Sequence, residues 1–283
     1  MIYDIIVIGS GPAGVTAAIY AKRSNTNVVI ISKKDSTLHK ADKIDNYYGF
    51  TETISGSELY ENGLKQAENL GIKIIEDEVV GLNYDGDYLI DGIKGSYKAK
   101  SVIMATGSKK AKTPIKGADD YLGKGLSYCA ICDGFFYRKK KVGVFGSGEY
   151  ALHEAKILSN MCKEVIIFTN GDETDITEFK VIDKKIKSLQ GQAKLEKVVF
   201  EDGSEEELEG LFVAIGSAGT TDLALKLGVL VENNKIVINS KTETNMPGFY
   251  ACGDATGGLL QISKAVYEGS MAGLEASKFV KGK

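Results

Sequence analysis

Residues 1–23 read MIYDIIVIGSGPAGVTAAIYAKR, and this stretch decides the fold. Ile5-Ile6-Val7-Ile8 is an unbroken apolar run, the pattern of a parallel strand buried on both faces. Gly9-Ser10-Gly11-Pro12-Ala13-Gly14 makes a turn, and Val15 to Arg23 has helical spacing. A second strand at Asn27–Ser32 completes a βαβ unit. In such a unit Gly9 makes the tight turn, Gly11 lets backbone approach a pyrophosphate, and Gly14 lets the helix pack close to the strand. The positive end of the helix then faces the phosphates. The acid expected after the second strand for a ribose hydroxyl is replaced by Ser32-Lys33-Lys34.

The same grammar returns later in the chain. Lys141–Phe145 reads as a strand, Gly146-Ser147-Gly148-Glu149-Tyr150-Ala151 as a glycine turn, Leu152–Ser159 as a helix and Glu164–Thr169 as the next strand. Between the two copies lie Val102–Ser108 and the polar stretch Lys109–Gly117. After the second copy come the apolar Leu211–Gly216 and the flexible Ser217-Ala218-Gly219-Thr220. These two breaks read as paired crossings, with 109–117 and 216–221 as hinges. The expectation is an α/β protein of two three-layer ββα/Rossmann-like dinucleotide-binding folds, the second inserted into the first. The first fold takes 1–110 and 214–283, and the insert takes 111–213.

Composition limits the function. A net charge of -3 over 283 residues makes no basic field, so nucleic acid is not an expected partner. No apolar run reaches bilayer length, and no secretory signal is read, so a cytoplasmic protein is expected. The four cysteines form no disulfide scaffold, and a single CxxC with two histidines is a poor zinc site. A redox reading of Cys129-Ala130-Ile131-Cys132 fits better. Two cysteines three apart close a small ring, and a helix start beside them favours the thiolate. Asp133 supplies a carboxylate able to move a proton to or from a departing thiolate. The plainer alternative is two buried cysteines and a helix-capping Asp. Cys162, Cys252 and His153 are read as structural.

Two distant segments bear on the nucleotide. Ala105-Thr106-Gly107-Ser108 and Gly253-Asp254 each follow a strand-like run. Two-dinucleotide-fold flavoproteins close such segments over FAD, which favours FAD in the first fold.

Taken together, GSGPAG, ATGS, residues 123–159 (GKGLSYCAICDGFFYRKKKVGVFGSGEYALHEAKILS), LFVAIG at 211–216 and GFYACGDATGG at 248–258 followed by Gln261 resemble the low-molecular-weight thioredoxin reductases. The resemblance spans essentially the whole chain. It implies that Cys132 faces the flavin, that Cys129 attacks the thioredoxin disulfide, and that Asp133 is the general acid–base. It places Asn46, Gln261 and Ile262 at the isoalloxazine and Val79 at the adenine end, and it implies a homodimer.

The chain leaves the family pattern at the second nucleotide. Glu149 and Tyr150 stand in a turn where the family has small polar residues. Where NADPH-dependent members carry an arginine cluster for the 2′-phosphate, this chain has Thr169-Asn170-Gly171-Asp172-Glu173-Thr174-Asp175. That pattern resembles the ferredoxin-dependent flavin thioredoxin reductases. A disulfide takes two electrons and an iron–sulfur donor gives one at a time, so flavin has to mediate. Four cysteines are too few for an internal cluster beside the CxxC, so the donor would be separate ferredoxin. Three alternatives stay open: a dithiol oxidase using oxygen, an NADPH enzyme with an atypical nucleotide site, and a silent flavin- or partner-binding module.

Overall fold

β1 (Ile2–Ile8) opens a run of α1 (Pro12–Arg23), β2 (Val28–Ser32), α2 (Gly56–Asn69), β3 (Lys73–Glu76), β4 (Val79–Tyr84), β5 (Tyr88–Gly92) and β6 (Ser96–Met104). Next come β7 (Leu126–Ser127), α3 (Ala130–Asp133), β8 (Lys141–Phe145), α4 (Glu149–Ser159), β9 (Glu164–Phe168), β10 (Lys180–Ile182), β11 (Ile186–Gln190), β12 (Lys197–Phe200), β13 (Glu205–Glu207) and β14 (Gly210–Val213). The chain closes with α5 (Thr220–Lys226), β15 (Val231–Glu232), β16 (Lys235–Ile236), β17 (Phe249–Ala251) and α6 (Ile262–Gly282). The structure, a computed structural model, describes residues 1–107, 113–216 and 219–282. Ser108 of the expected flavin segment, 109–112 of the first hinge and 217–218 of the second lie outside the described residues.

The chain divides into two compact units, Met1–Lys109 with Leu223–Lys283, and Lys110–Asp222. The return crossing falls later than the 213/214 position read from sequence. Ala214 continues the β14–β8 ladder by donating its N–H to Phe145 at 2.8 Å, and Ile215 packs on the second unit's core.

In the first unit the strands run β3-β2-β1-β6-β5-β4. β6 serves three partners: β1 runs parallel along one edge, and on the other the start of β6 pairs antiparallel with β5 while Val102–Met104 pair parallel with β17. Ile5, Ile6, Val7, Ile30 and Ile31 have no measurable exposure. Each such side chain contributes about 1.5–3 kcal/mol of burial.

Two helices cover one face through small residues. A Cβ at Gly269 of α6 would meet the Ala13 carbonyl at 2.3 Å, and one at Gly273 would meet that of Ala17 at 2.3 Å. Both pairs advance by four in the same sense, so α1 and α6 run parallel. Their N-termini therefore lie at one end of the unit, beside the glycine turn.

The second unit has a parallel sheet, β10-β9-β8-β14-β7, and an antiparallel one, β11-β12-β13. Gly143 of β8 has no room for a side chain: its Cβ would meet the Phe168 ring at 2.4 Å. Both glycine-turn helices begin earlier than their apolar spacing indicates. α1 starts on Pro12, whose ring presets the helical φ, and α4 starts on Glu149 rather than Leu152. Tyr150 is therefore carried inward, 2% exposed.

Candidate active site

The first unit holds a cradle. Gly9 has φ +107°, and a Cβ on it would strike the Ala105 carbonyl at 2.4 Å, so the turn lies directly on the Ala105-Thr106-Gly107 segment. Gly11 is the N-cap of α1 with no side-chain cap, and a Cβ there would meet nothing within 4 Å. Bare backbone thus faces open space at a helix N-terminus with no acid in its first turn. These residues fit a dinucleotide pyrophosphate.

Buried contacts fix the cradle from beneath. The Ser10 hydroxyl lies 2.7 Å from both the Ser32 hydroxyl and the Tyr60 hydroxyl. Burial, and then the Glu61 charge, push the Tyr60 phenol up, against the opposing hydrogen bonds of Ser10 and Ser32. Sequence reading missed Tyr60, because nothing local ties it to Ser10.

A carboxylate reaches Lys33 from elsewhere in the unit. Glu78, just before β4, pairs with Lys33 at 2.8 Å, and its other oxygen is buried with no hydrogen-bond partner among the described residues. Val79 follows it, buried.

At the α6 end, the Asn46 amide donates to the Gln261 side-chain carbonyl at 3.1 Å, with Ile262 following in the first turn of α6. Gly253 has φ +73° and donates its N–H to Glu268 at 2.8 Å. Lys264 locks this turn, donating to the Gly253 carbonyl at 2.7 Å and pairing with Glu268 at 3.0 Å. Asp254 sits half-buried within it, its carbonyl accepting from Lys235 at 2.9 Å.

The second unit carries the redox group: a disulfide joins Cys129 and Cys132. Cys129 is the N-cap of α3, and its Sγ accepts the Cys132 N–H at 3.2 Å. Cys129 is 5% exposed, while Cys132 is exposed. Asp133 accepts from the Ser127 hydroxyl at 2.6 Å. Glu154, 1% exposed on α4, accepts the Ala130 N–H at 2.9 Å and lies 3.3 Å from His153 Nδ1. Neither Ser127 nor Glu154 was singled out by sequence: their places depend on β7 and α4 folding against α3. The remaining thiols are poor nucleophiles, since burial pushes Cys162 up to about 11 and Cys252 higher still.

The second glycine turn differs from the first. Glu149 stands in the first turn of α4. The Thr174 hydroxyl donates to the Ser147 carbonyl at 2.7 Å, so the loop after β9 is fastened to the turn. Beside it a cavity of about 680 Å³ has Asp172, Glu173, Asp175 and Asp183 as its only charged lining. Among the described residues, no group of three or more His, Cys, Asp or Glu side chains is arranged to hold a metal, and no helix is long and apolar enough to cross a membrane.

A dinucleotide cradle in one unit and a CxxC disulfide beside a carboxylate in the other define a flavoprotein disulfide oxidoreductase. Residues 3–269 match the family described as pyridine nucleotide-disulphide oxidoreductase. The thioredoxin reductase of Listeria innocua is 31% identical over 302 residues, covering 99% of this chain and 94% of the relative. The crystal structure of the atypical thioredoxin reductase TRi from Desulfovibrio vulgaris Hildenborough matches with a TM-score of 0.93 at 39% identity, covering 99% of each chain. A ferredoxin-flavin thioredoxin reductase from Clostridium acetobutylicum matches with a TM-score of 0.73 at 34% identity, again covering 99% of each. The chain belongs to the low-molecular-weight thioredoxin reductases within the pyridine nucleotide-disulphide oxidoreductase family. The cofactor of that family is FAD, and the cradle of the first unit fits it.

Proposed function

We propose that this chain reduces the disulfide of thioredoxin through Cys129–Cys132, with FAD as cofactor and reduced ferredoxin as electron donor. The observation that carries the donor assignment is the acidic setting of the second glycine turn, with Glu149 in the first turn of α4 and Asp172, Glu173, Asp175 and Asp183 lining the cavity beside the loop after β9. The backbone at Gly148, the N-cap of α4, is as open as that at Gly11, so charge and not space opposes a nicotinamide dinucleotide here. Its pyrophosphate would meet Glu149, and a 2′-phosphate near the end of β9 would meet carboxylates. Each such pair costs on the order of 1 kcal/mol even when water screens it.

Bound FAD supplies the conversion between single electrons and electron pairs. It would be held by the Gly9–Gly14 turn and α1 at the pyrophosphate, by Ser32, Lys33 and Val79 toward the adenosine, by Thr106, Gly107, Gly253 and Asp254 along the middle, and by Asn46, Gln261 and Ile262 at the ring. Cys132, the exposed sulfur, receives electrons. Cys129 becomes the attacking thiolate and has to be uncovered before it meets a partner. Asp133 accepts and returns the proton. Phe135 and Phe136, 66% and 69% exposed just after the disulfide, offer thioredoxin an apolar seat.

The family model and the match to an atypical thioredoxin reductase favour a second reading, an enzyme with an unconventional nicotinamide site. One anaerobic titration separates the two. Reduced ferredoxin is expected to bleach the flavin and support thioredoxin reduction, with NADPH and NADH slow. Rapid stoichiometric bleaching by NADPH or NADH would establish the second reading instead.

A further inference from the structure

Ser127 is the last residue of β7 and 3% exposed. Pairing with Phe212 of β14 fixes its backbone. Its hydroxyl meets three atoms of the redox segment: Asp133 Oδ2 at 2.6 Å, the Cys129 N–H at 3.0 Å and the Cys129 carbonyl at 3.3 Å. A serine hydroxyl has one proton to give. The short contact to a carboxylate takes it, in the range of charge-assisted O–H···O bonds. The Cys129 amide then donates to the same oxygen, so one atom links the Cys129 backbone to the Asp133 side chain. The Asp133 N–H also donates to the Cys129 carbonyl at 3.2 Å. Main chain and side chain of Asp133 are thus both referred to Cys129.

We propose that Ser127 is a positioning residue for thiol–disulfide exchange, aiming the Asp133 carboxyl at the sulfurs of Cys129 and its partner. The inference rests on the proposed role of Asp133 as the proton-transferring group. Asp133 takes the proton of the Cys129 thiol as Cys129 Sγ attacks thioredoxin. The new S–S bond forms while the thioredoxin S–S bond breaks, and the departing sulfur receives the proton from Asp133. Cys132 Sγ then attacks Cys129 Sγ, the mixed bond breaks, and the second thioredoxin sulfur leaves with the proton of Cys132. Two electrons and two protons have passed, and the Cys129–Cys132 bond is restored. A carboxyl that swings away from the first step slows it without loosening partner binding.

The test compares Ser127→Ala, Ser127→Thr, Asp133→Asn and the double variant S127A/D133N. Each holoprotein is photoreduced without added donor and mixed anaerobically with oxidised thioredoxin, with bound FAD and the flavin spectrum as the check on folding. Ser127→Ala is expected to lower the exchange rate by about 10- to 100-fold at unchanged half-saturation, the scale of a misplaced catalytic group. Ser127→Thr keeps the hydroxyl and restores most of the rate. The double variant is no slower than Asp133→Asn alone, because Ser127 acts through Asp133. A wild-type rate in Ser127→Ala with Asp133→Asn impaired would overturn the inference and leave the role of Asp133 standing. Additive losses in the double variant would also overturn it, by giving Ser127 an independent structural effect. An unimpaired Asp133→Asn would overturn the role of Asp133 itself.

Discussion

Asn46 and Gln261, 215 residues apart in sequence, share a hydrogen bond of 3.1 Å. The contact ties the segment after β2 to the residue just before α6, where the flavin ring is proposed to rest. Gln261→Ala is expected to weaken FAD retention about fivefold, the worth of one exposed hydrogen bond. Flavin release on gel filtration of reconstituted protein measures it.

Lys264 is a stronger brace, because both it and Glu268 are largely buried. Lys264→Met would leave the Glu268 carboxylate and the Gly253 carbonyl short of a partner, at a cost of about 2 kcal/mol. Lower thermal stability and partial loss of FAD are the expected results. Full retention of both would show that Gly253 needs no brace.

The division of labour between the two sulfurs is testable by trapping. In Cys132→Ser the resolving thiol is gone, so Cys129 should remain joined to thioredoxin as a mixed disulfide visible by mass spectrometry. An adduct that forms instead in Cys129→Ser would reverse the roles.

Glu154 anchors the start of α3. Glu154→Ala leaves the buried Ala130 N–H without its acceptor, a loss of about 1–3 kcal/mol. Denaturant unfolding should show the second unit weakened.

Acid stability follows from two ion pairs, one in each unit. Burial raises the Asp4 carboxyl, but the hydrogen bonds of Lys100 and Asn27 outweigh it and hold the group below its ordinary 3.8. Glu206 is likewise raised by burial and pulled below 4.5 by Lys141 and Lys180. Depressed carboxylates stabilise the fold when ionised, so both contributions are complete at neutral pH. They are lost as the pH falls below about 4.5 for Glu206 and below 3.8 for Asp4. Glu206→Gln should lower the melting temperature at pH 7 and flatten its decline in acid.

The glycine turns, the buried strands and the CxxC were legible because each is local: a few consecutive residues meet one geometric demand. Glu78 was hidden for the opposite reason. The sequence has Ser32-Lys33-Lys34 where an acid would be expected, and the fold brings a carboxylate to Lys33 from the turn before β4. Tyr60, Lys264 and Ser127 likewise matter through partners set by helix packing and strand pairing. The helix starts at Pro12 and Glu149 lie earlier than apolar spacing indicates because Pro12-Ala13-Gly14 and Glu149-Tyr150-Ala151 read as the ends of the glycine turns, whereas each is already the first turn of its helix. The return crossing was placed early, since Ile215 commits to the second core through packing that composition does not show.

The shared partnering of β6 has a consequence for biosynthesis. Val102–Met104 are translated early, yet their neighbour Phe249–Ala251 leaves the ribosome only after the whole of Lys110–Asp222. The inserted unit is continuous and can close its core during translation, whereas the flavin-binding unit waits with an open strand edge until nearly the last residues emerge. Cofactor loading is therefore a late event in the life of the nascent chain, and truncation between Asp222 and β17 should yield a folded disulfide unit attached to an unfinished cradle.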